Sequence, residues 1–128
     1  MQSDAQRRAR GAQKIGEILG QTPEQVERSL GDVTPQLATY VLEMIYGEIY
    51  QSLTLDSRTR QIVTVAALAT LGTAGPQLRT HIGGALRCGV AREELIEIMM
   101  QLVPYVVVAA AINGVAACRE VFAAADKA

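Results

Sequence analysis

Arg58-Thr59-Arg60-Gln61-Ile62-Val63-Thr64-Val65-Ala66-Ala67-Leu68-Ala69-Thr70-Leu71 is the stretch whose reading decides the fold class. Asp56 or Ser57 ahead of it can accept a bond from the free N–H groups of a helix start, and Gly72 behind it suits a left-handed stop. Beyond its first turn the segment is apolar on every side, broken only by Thr64 and Thr70. A helix without a polar face belongs inside a packed domain, so residues 58–71 are expected to form a central, buried helix.

Working downstream, Gly75-Pro76 opens a helix that carries Leu78, Ile82, Ala85 and Leu86 inward and stops at Gly89, with His81 bordering the inward face. A further helix begins near Ala91. Glu93 and Glu94 in its first turn complement the helix dipole, Leu95, Ile98, Met99 and Leu102 form its inward stripe, and Pro104 ends it by removing a backbone donor. Residues from Tyr105 to about Ala125 are again apolar nearly all round. Upstream, Thr34-Pro35 starts a helix running toward Tyr50, with Leu37, Val41, Met44 and Ile45 on one stripe that Glu48 continues. Thr22-Pro23 with Gln25 reads as a capping box opening a short helix that ends at Gly31, and residues 4–19 form a polar opening helix stopped at Gly20. No alternating strand pattern flanked by hairpin turns interrupts this series. The expectation is an all-α bundle of about six helices in a single domain over residues 1–128.

Composition narrows the function. With 128 residues, 49% apolar and 20% charged, and a mean hydropathy slightly above zero, the chain packs rather than remaining disordered. The longest unbroken apolar run, Leu102 to Ile112, falls short of the roughly 20 residues of a membrane span. The opening residues lack a signal-peptide profile, so no membrane association and a cytoplasmic location are expected. Cys88 and Cys118 are too few for a disulfide framework and lack metal-ligand spacing, and read as reduced core thiols. Twelve basic against thirteen acidic side chains give a net charge of −1, and four tyrosines with one phenylalanine supply no stacking platform. Nucleic acid is therefore not an expected partner. Arg7, Arg8 and Arg10 read as a solvated helix face in preference to an anion contact. Two helices with hardly any polar face, in a chain whose size lets it bury only about two-thirds of its unfolded surface, point to a homo-oligomer.

Any imidazole chemistry must use His81, the single histidine. It reads either as a core histidine bonded to backbone or as a catalytic group. Glu48 sits on an otherwise apolar stripe, where an ionised carboxylate needs a partner; it also lies near a helix end, where the chain can turn it into water. Arg58 and Arg60 open the central helix, one to anchor an anion and one to pair with Glu48, unless both are solvent-exposed. A phosphate-binding glycine loop, a Cys-x-x-Cys pair, a His-Glu-x-x-His helix and a nucleophile elbow are all missing, so no metal or nucleotide is implied.

Gly47-Glu48-Ile49-Tyr50, Leu55-Asp56-Ser57-Arg58-Thr59-Arg60, Leu78-Arg79-Thr80-His81-Ile82-Gly83-Gly84-Ala85-Leu86 and Gly89-Val90-Ala91-Arg92-Glu93-Glu94-Leu95, in this order, resemble the carboxymuconolactone decarboxylase family. Gly11, Leu19-Gly20 and Val26 extend the resemblance over nearly the whole chain. It implies the alkylhydroperoxidase D-like helical bundle, assembled as a trimer or hexamer. The thiol reductases of that superfamily are built on Cys-x-x-Cys with histidine four residues on; counting back from His81, those positions hold Ala74 and Gln77, so the thiol relay is missing. The family reaction is cofactor-independent decarboxylation of 4-carboxymuconolactone to 3-oxoadipate enol-lactone, in the protocatechuate branch of aromatic catabolism. The leaving carboxylate is conjugated through a ring double bond to the lactone carbonyl, which acts as the electron sink.

By this resemblance His81 meets the lactone oxygen or returns the proton, Glu48 transfers a proton or orients His81, and Arg58 or Arg60 holds a substrate carboxylate. Tyr50, where the family usually has Trp, and Tyr105 line the substrate. Tyr105-Val106-Val107-Val108-Ala109 replaces the family's usual Tyr-x-Gly-x-Pro, and Ala91 a capping threonine. The first two departures leave room for a related lactone, or a precursor in a specialised pathway, as substrate. A rival reading keeps the scaffold as a non-catalytic oligomer binding a small apolar or anionic ligand.

Overall fold

The computed structural model describes residues 3–30 and 33–128, and these contain seven α-helices and no strand. The expected stop at Gly31 lies outside the described residues. The chain forms two compact units, Met1–Leu55 and Asp56–Ala128.

In the first unit, α1 (Asp4–Leu19) starts in a reciprocal cap: Ser3 Oγ accepts from the Gln6 N–H at 3.3 Å while Gln6 Oε1 accepts from the Ser3 N–H at 3.0 Å. It ends at Gly20, whose φ of 68° is the left-handed stop the sequence announces. Helix α2 (Pro23–Leu30) starts in the expected Thr22–Gln25 box, at 2.8 and 3.2 Å. Helix α3 (Pro35–Thr39) begins at the expected proline, although no cap bond from the Thr34 side chain occurs among the described residues.

The expected run to Tyr50 is not one α-helix. After Thr39 the backbone widens into a π-helical segment, Tyr40–Ile45, with Tyr46 N–H donating to Val41 O at 3.1 Å, and a separate 3₁₀ turn spans Ile49–Gln51. Its buried residues are Ala38, Leu42 and Tyr46, while Leu37 and Met44 of the expected stripe are exposed. The reason lies in α1. A Cβ on Gly11 would fall 1.7 Å from the Leu42 carbonyl oxygen, so the two backbones touch there and the face centred on Leu42 turns inward. Arg7, Arg8 and Arg10, read as a solvated face, remain partly exposed but are also engaged by neighbouring groups. Arg7 pairs with Asp4 and Glu48, Arg8 with Glu27, and Arg10 donates to Gly47 O at 3.1 Å.

The second unit comprises α4 (Ser57–Leu71), α5 (Gly75–Arg87), α6 (Arg92–Leu102) and α7 (Val108–Asp126). Its core joins Val65, Ala69, Leu78, Ile82, Ala85, Val90, Leu95, Met99, Ala117 and Cys118. Asp56 caps α4 by accepting from the Thr59 N–H at 2.7 Å, and Gly72, at φ 72°, ends it, both as expected. Its burial is narrower than expected. Gln61, Val65 and Ala69 are buried, one per turn, whereas Val63 and Leu71 remain exposed. Small residues let α7 approach its neighbours closely, through Ala110, Ala111, Gly114, Ala117 and Cys118. Cys88 ends α5 half-buried, so of the two free thiols Cys118 alone belongs to the core.

The unbroken apolar run understates α7, which continues past Asn113. Asn113, Arg119 and Glu120 interrupt its apolar character, and by length and composition alone the helix is as long and apolar as a membrane span. Its buried stripe packs against α5, α6 and α4.

Candidate functional site

Pro76 in the first turn of α5 fixes where that helix begins, and Leu78, Ile82 and Ala85 then form its buried face. His81 follows at the edge of this face and is half-buried. Across from α5, the innermost line of α4 begins with Gln61, which is fully buried. A buried amide must find partners or lose the free energy of its water contacts. Gln61 Oε1 lies 2.9 Å from His81 Nδ1. A carbonyl oxygen only accepts, so Nδ1 carries the proton and the neutral ring keeps its lone pair on Nε2. Burial lowers the His81 pKa below its ordinary value, which favours this neutral form.

Glu48 belongs to the first unit. It precedes the 3₁₀ turn, outside the regular helix in which its stripe was read, and its side chain is about half exposed at 49%. Its carboxylate accepts from Arg7 Nη1 at 2.9 Å. With Arg7, Thr39, Tyr40, Glu43 and Met44 it lines a cleft of about 280 Å³. Tyr50 is partly buried and stacks on Tyr46, ring centroids 4.6 Å apart.

The remaining candidates lie in the second unit. Arg58, in the first turn of α4, is ion-paired with Glu94 of α6, and Glu48 pairs with Arg7 within its own unit. The Arg58 hydrogen bond, followed by the Ala91 N–H, holds the Glu94 carboxyl below its usual pKa. The Ala91 N–H is thereby satisfied by Glu94 although no threonine is present to cap the helix. Arg60 is partly buried one position before Gln61. Tyr105 is 80% exposed in the turn after α6. Among the described residues no group of three or more His, Cys, Asp or Glu side chains is arranged to hold a metal ion.

The structure therefore brings together His81 with Gln61, Glu48 with Arg7, Arg58 with Glu94 and Tyr50 with Tyr46. Gln61 is the residue that sequence reasoning passed over. Its signal was spacing: Gln61, Val65 and Ala69 recur every four residues, which puts an amide on the most buried line of the helix.

Comparison with known proteins places the chain in a family. The model of the carboxymuconolactone decarboxylase family matches residues 35–127. A 4-carboxymuconolactone decarboxylase of Acinetobacter baylyi is 31% identical over 101 residues, covering 77% of this chain and 73% of that protein. An uncharacterized 15.0 kDa protein from the nqo9-nqo10 intergenic region of Paracoccus denitrificans is 32% identical over 76 residues, 59% of this chain and 57% of its own.

Proposed function

Because this chain belongs to the carboxymuconolactone decarboxylase family, we infer that it decarboxylates 4-carboxymuconolactone or a related unsaturated lactone acid, as a carbon–carbon lyase. The observation that carries this reading is the His81–Gln61 pair, which satisfies one ring nitrogen and keeps the other for proton transfer.

The carbon–carbon bond to the leaving carboxylate breaks heterolytically. Its electron pair moves through the ring double bond onto the lactone oxygen as carbon dioxide departs. Protonated His81 gives the Nε2 proton to the ring carbon, and the neutral imidazole then regains a proton from solvent. Arg58 and Arg60 supply cations near the start of α4 for the carboxylates of a dianionic substrate, and Glu48 assists proton transfer. The working form is a homo-oligomer, a reading supported by the exposure of Met100, Tyr105, Val107, Val108 and Ile112 around the junction of α6 and α7. Light scattering that finds a monomer would refute that part.

The test incubates the protein with a panel of unsaturated lactone acids, scored by lactone ultraviolet absorbance and released carbon dioxide. Wild type is expected to turn over at least one member, with His81→Ala and Glu48→Gln each slower by about 100-fold or more. Absence of turnover across the panel overturns the enzymatic reading, and unimpaired turnover in both variants removes these two residues from the mechanism.

A further inference from the structure

We propose that Gln61 is the positioning residue of this site: its side-chain carbonyl fixes His81 in the Nδ1–H form and leaves Nε2 as the ring atom that meets a ligand. The inference deepens the decarboxylase reading, on which its kinetic part rests.

Three observations converge. Gln61 is fully buried in a helix whose other inward residues, Val65 and Ala69, are apolar, so the amide occupies a place that packing alone would give to an aliphatic side chain. Its oxygen lies at hydrogen-bond distance, 2.9 Å, from the chain's single imidazole. That imidazole is half-buried at the edge of the α5 core face, where rotation of an unheld ring would present either nitrogen.

The amide also has a consequence that a carboxylate in its place would reverse. A carboxylate beside Nδ1 stabilises imidazolium by direct charge attraction, whereas a neutral amide bonds to the ring without that charge. The charged side chains on the helices packed against α5 are Arg58 and Arg60 on α4 and Arg119, Glu120 and Asp126 on α7. Arg58 is paired with Glu94, Glu120 with Arg79 and Asp126 with Arg92, and burial is what displaces the His81 pKa. His81 accordingly rests neutral between turnovers. It is loaded by a solvent proton and gives that proton to carbon, so turnover rises as pH falls toward the folded-state pKa.

The test uses the full-length chain labelled with ¹⁵N, in which a single histidine gives an unambiguous ring spectrum. In the wild type above neutral pH, Nδ1 is expected to show the protonated, pyrrole-like signal and Nε2 the unprotonated one. Gln61→Met keeps the volume and removes the strong acceptor. It is expected to lose that pattern for a mixture of ring forms. Gln61→Glu is expected to raise the His81 titration midpoint by about one pH unit or more and to shift the loss of turnover with rising pH to higher pH with it. A wild-type ring protonated on Nε2, or an unchanged ring pattern in a folded Gln61→Met variant, overturns the proposal. The wild-type spectrum alone decides if either variant fails to fold. If the ring behaves as expected while no lactone acid is turned over, Gln61 keeps its role and the decarboxylase reading falls.

Discussion

Replacing Gly11 by alanine adds one carbon, and the structure says where it goes. The new Cβ would stand 1.7 Å from the Leu42 carbonyl oxygen and 2.8 Å from its carbon. An ordinary carbon–oxygen approach is about 3.3 Å, so the backbones must separate by about 1.6 Å. Neither partner can yield cheaply, since both are main chain. Overpacking of this kind costs about 3 kcal/mol, and the separation also breaks the bond from Arg10 to Gly47 O, worth about 1 kcal/mol. Against this, alanine is better than glycine in a helix interior by about 1 kcal/mol. The expected net loss is about 3 kcal/mol, read as a lowered midpoint in urea unfolding followed by far-UV circular dichroism at fixed protein concentration. Gly83→Ala is the matched control. It lies inside α5 with open space where its Cβ would go, so only the propensity gain of about 0.5 to 1 kcal/mol applies and its midpoint should rise. If Gly11→Ala unfolds at or above the wild-type midpoint, the close approach of α1 to the π segment is wrong.

Two further outcomes follow from buried groups. The folded-state pKa of His81 is lowered, so the unfolded chain binds the proton more readily; stability is therefore full above the unfolded value of about 6.5 and declines as pH falls from there toward the folded pKa. Unfolding midpoints at pH 8 and pH 5 should differ in wild type and differ less in His81→Gln; equal differences in the two would refute the assignment. Burial pushes the Cys118 thiol up to about 11, so in Cys88→Ser the remaining thiol should resist a disulfide reagent at pH 8 until denaturant is added. Rapid release from the native protein would show that Cys118 is not in the core.

Helix ends were legible in the sequence because local groups satisfy them. Asp56 and Gly72 around α4, Thr22 with Gln25 at α2 and Gly20 after α1 each act within a few residues of their own position, and each occurs as read. The inward face of residues 35–46 was not legible. Leu37, Val41, Met44 and Ile45 make as good a helical stripe as Ala38, Leu42 and Tyr46, and local pattern cannot choose between them. The choice is made by Gly11, some 30 residues away in sequence, whose missing side chain admits the Leu42 backbone. A spanning-length helix at α7 was overlooked for a related reason. Counting an unbroken run stops at Asn113, whereas α7 runs on to Asp126 and stays largely apolar with Arg119 and Glu120 in its second half.

The candidate site divides along the same line. His81 was conspicuous because a lone imidazole needs no structural information to be noticed. Arg58 and Glu48 were visible as charges, but their partners, Glu94 and Arg7, lie 36 and 41 residues away, and no local rule links them. Gln61 was hidden by its surroundings. Next to Arg58 and Arg60, a glutamine in the opening turns of a helix reads as part of a solvated start, although its four-residue spacing from Val65 and Ala69 contradicts that reading. Spacing therefore deserved more weight than residue polarity at that position. An amide retained on an innermost line must satisfy its hydrogen bonds inside the protein, and in this fold it does so on the ring whose proton the proposed chemistry moves.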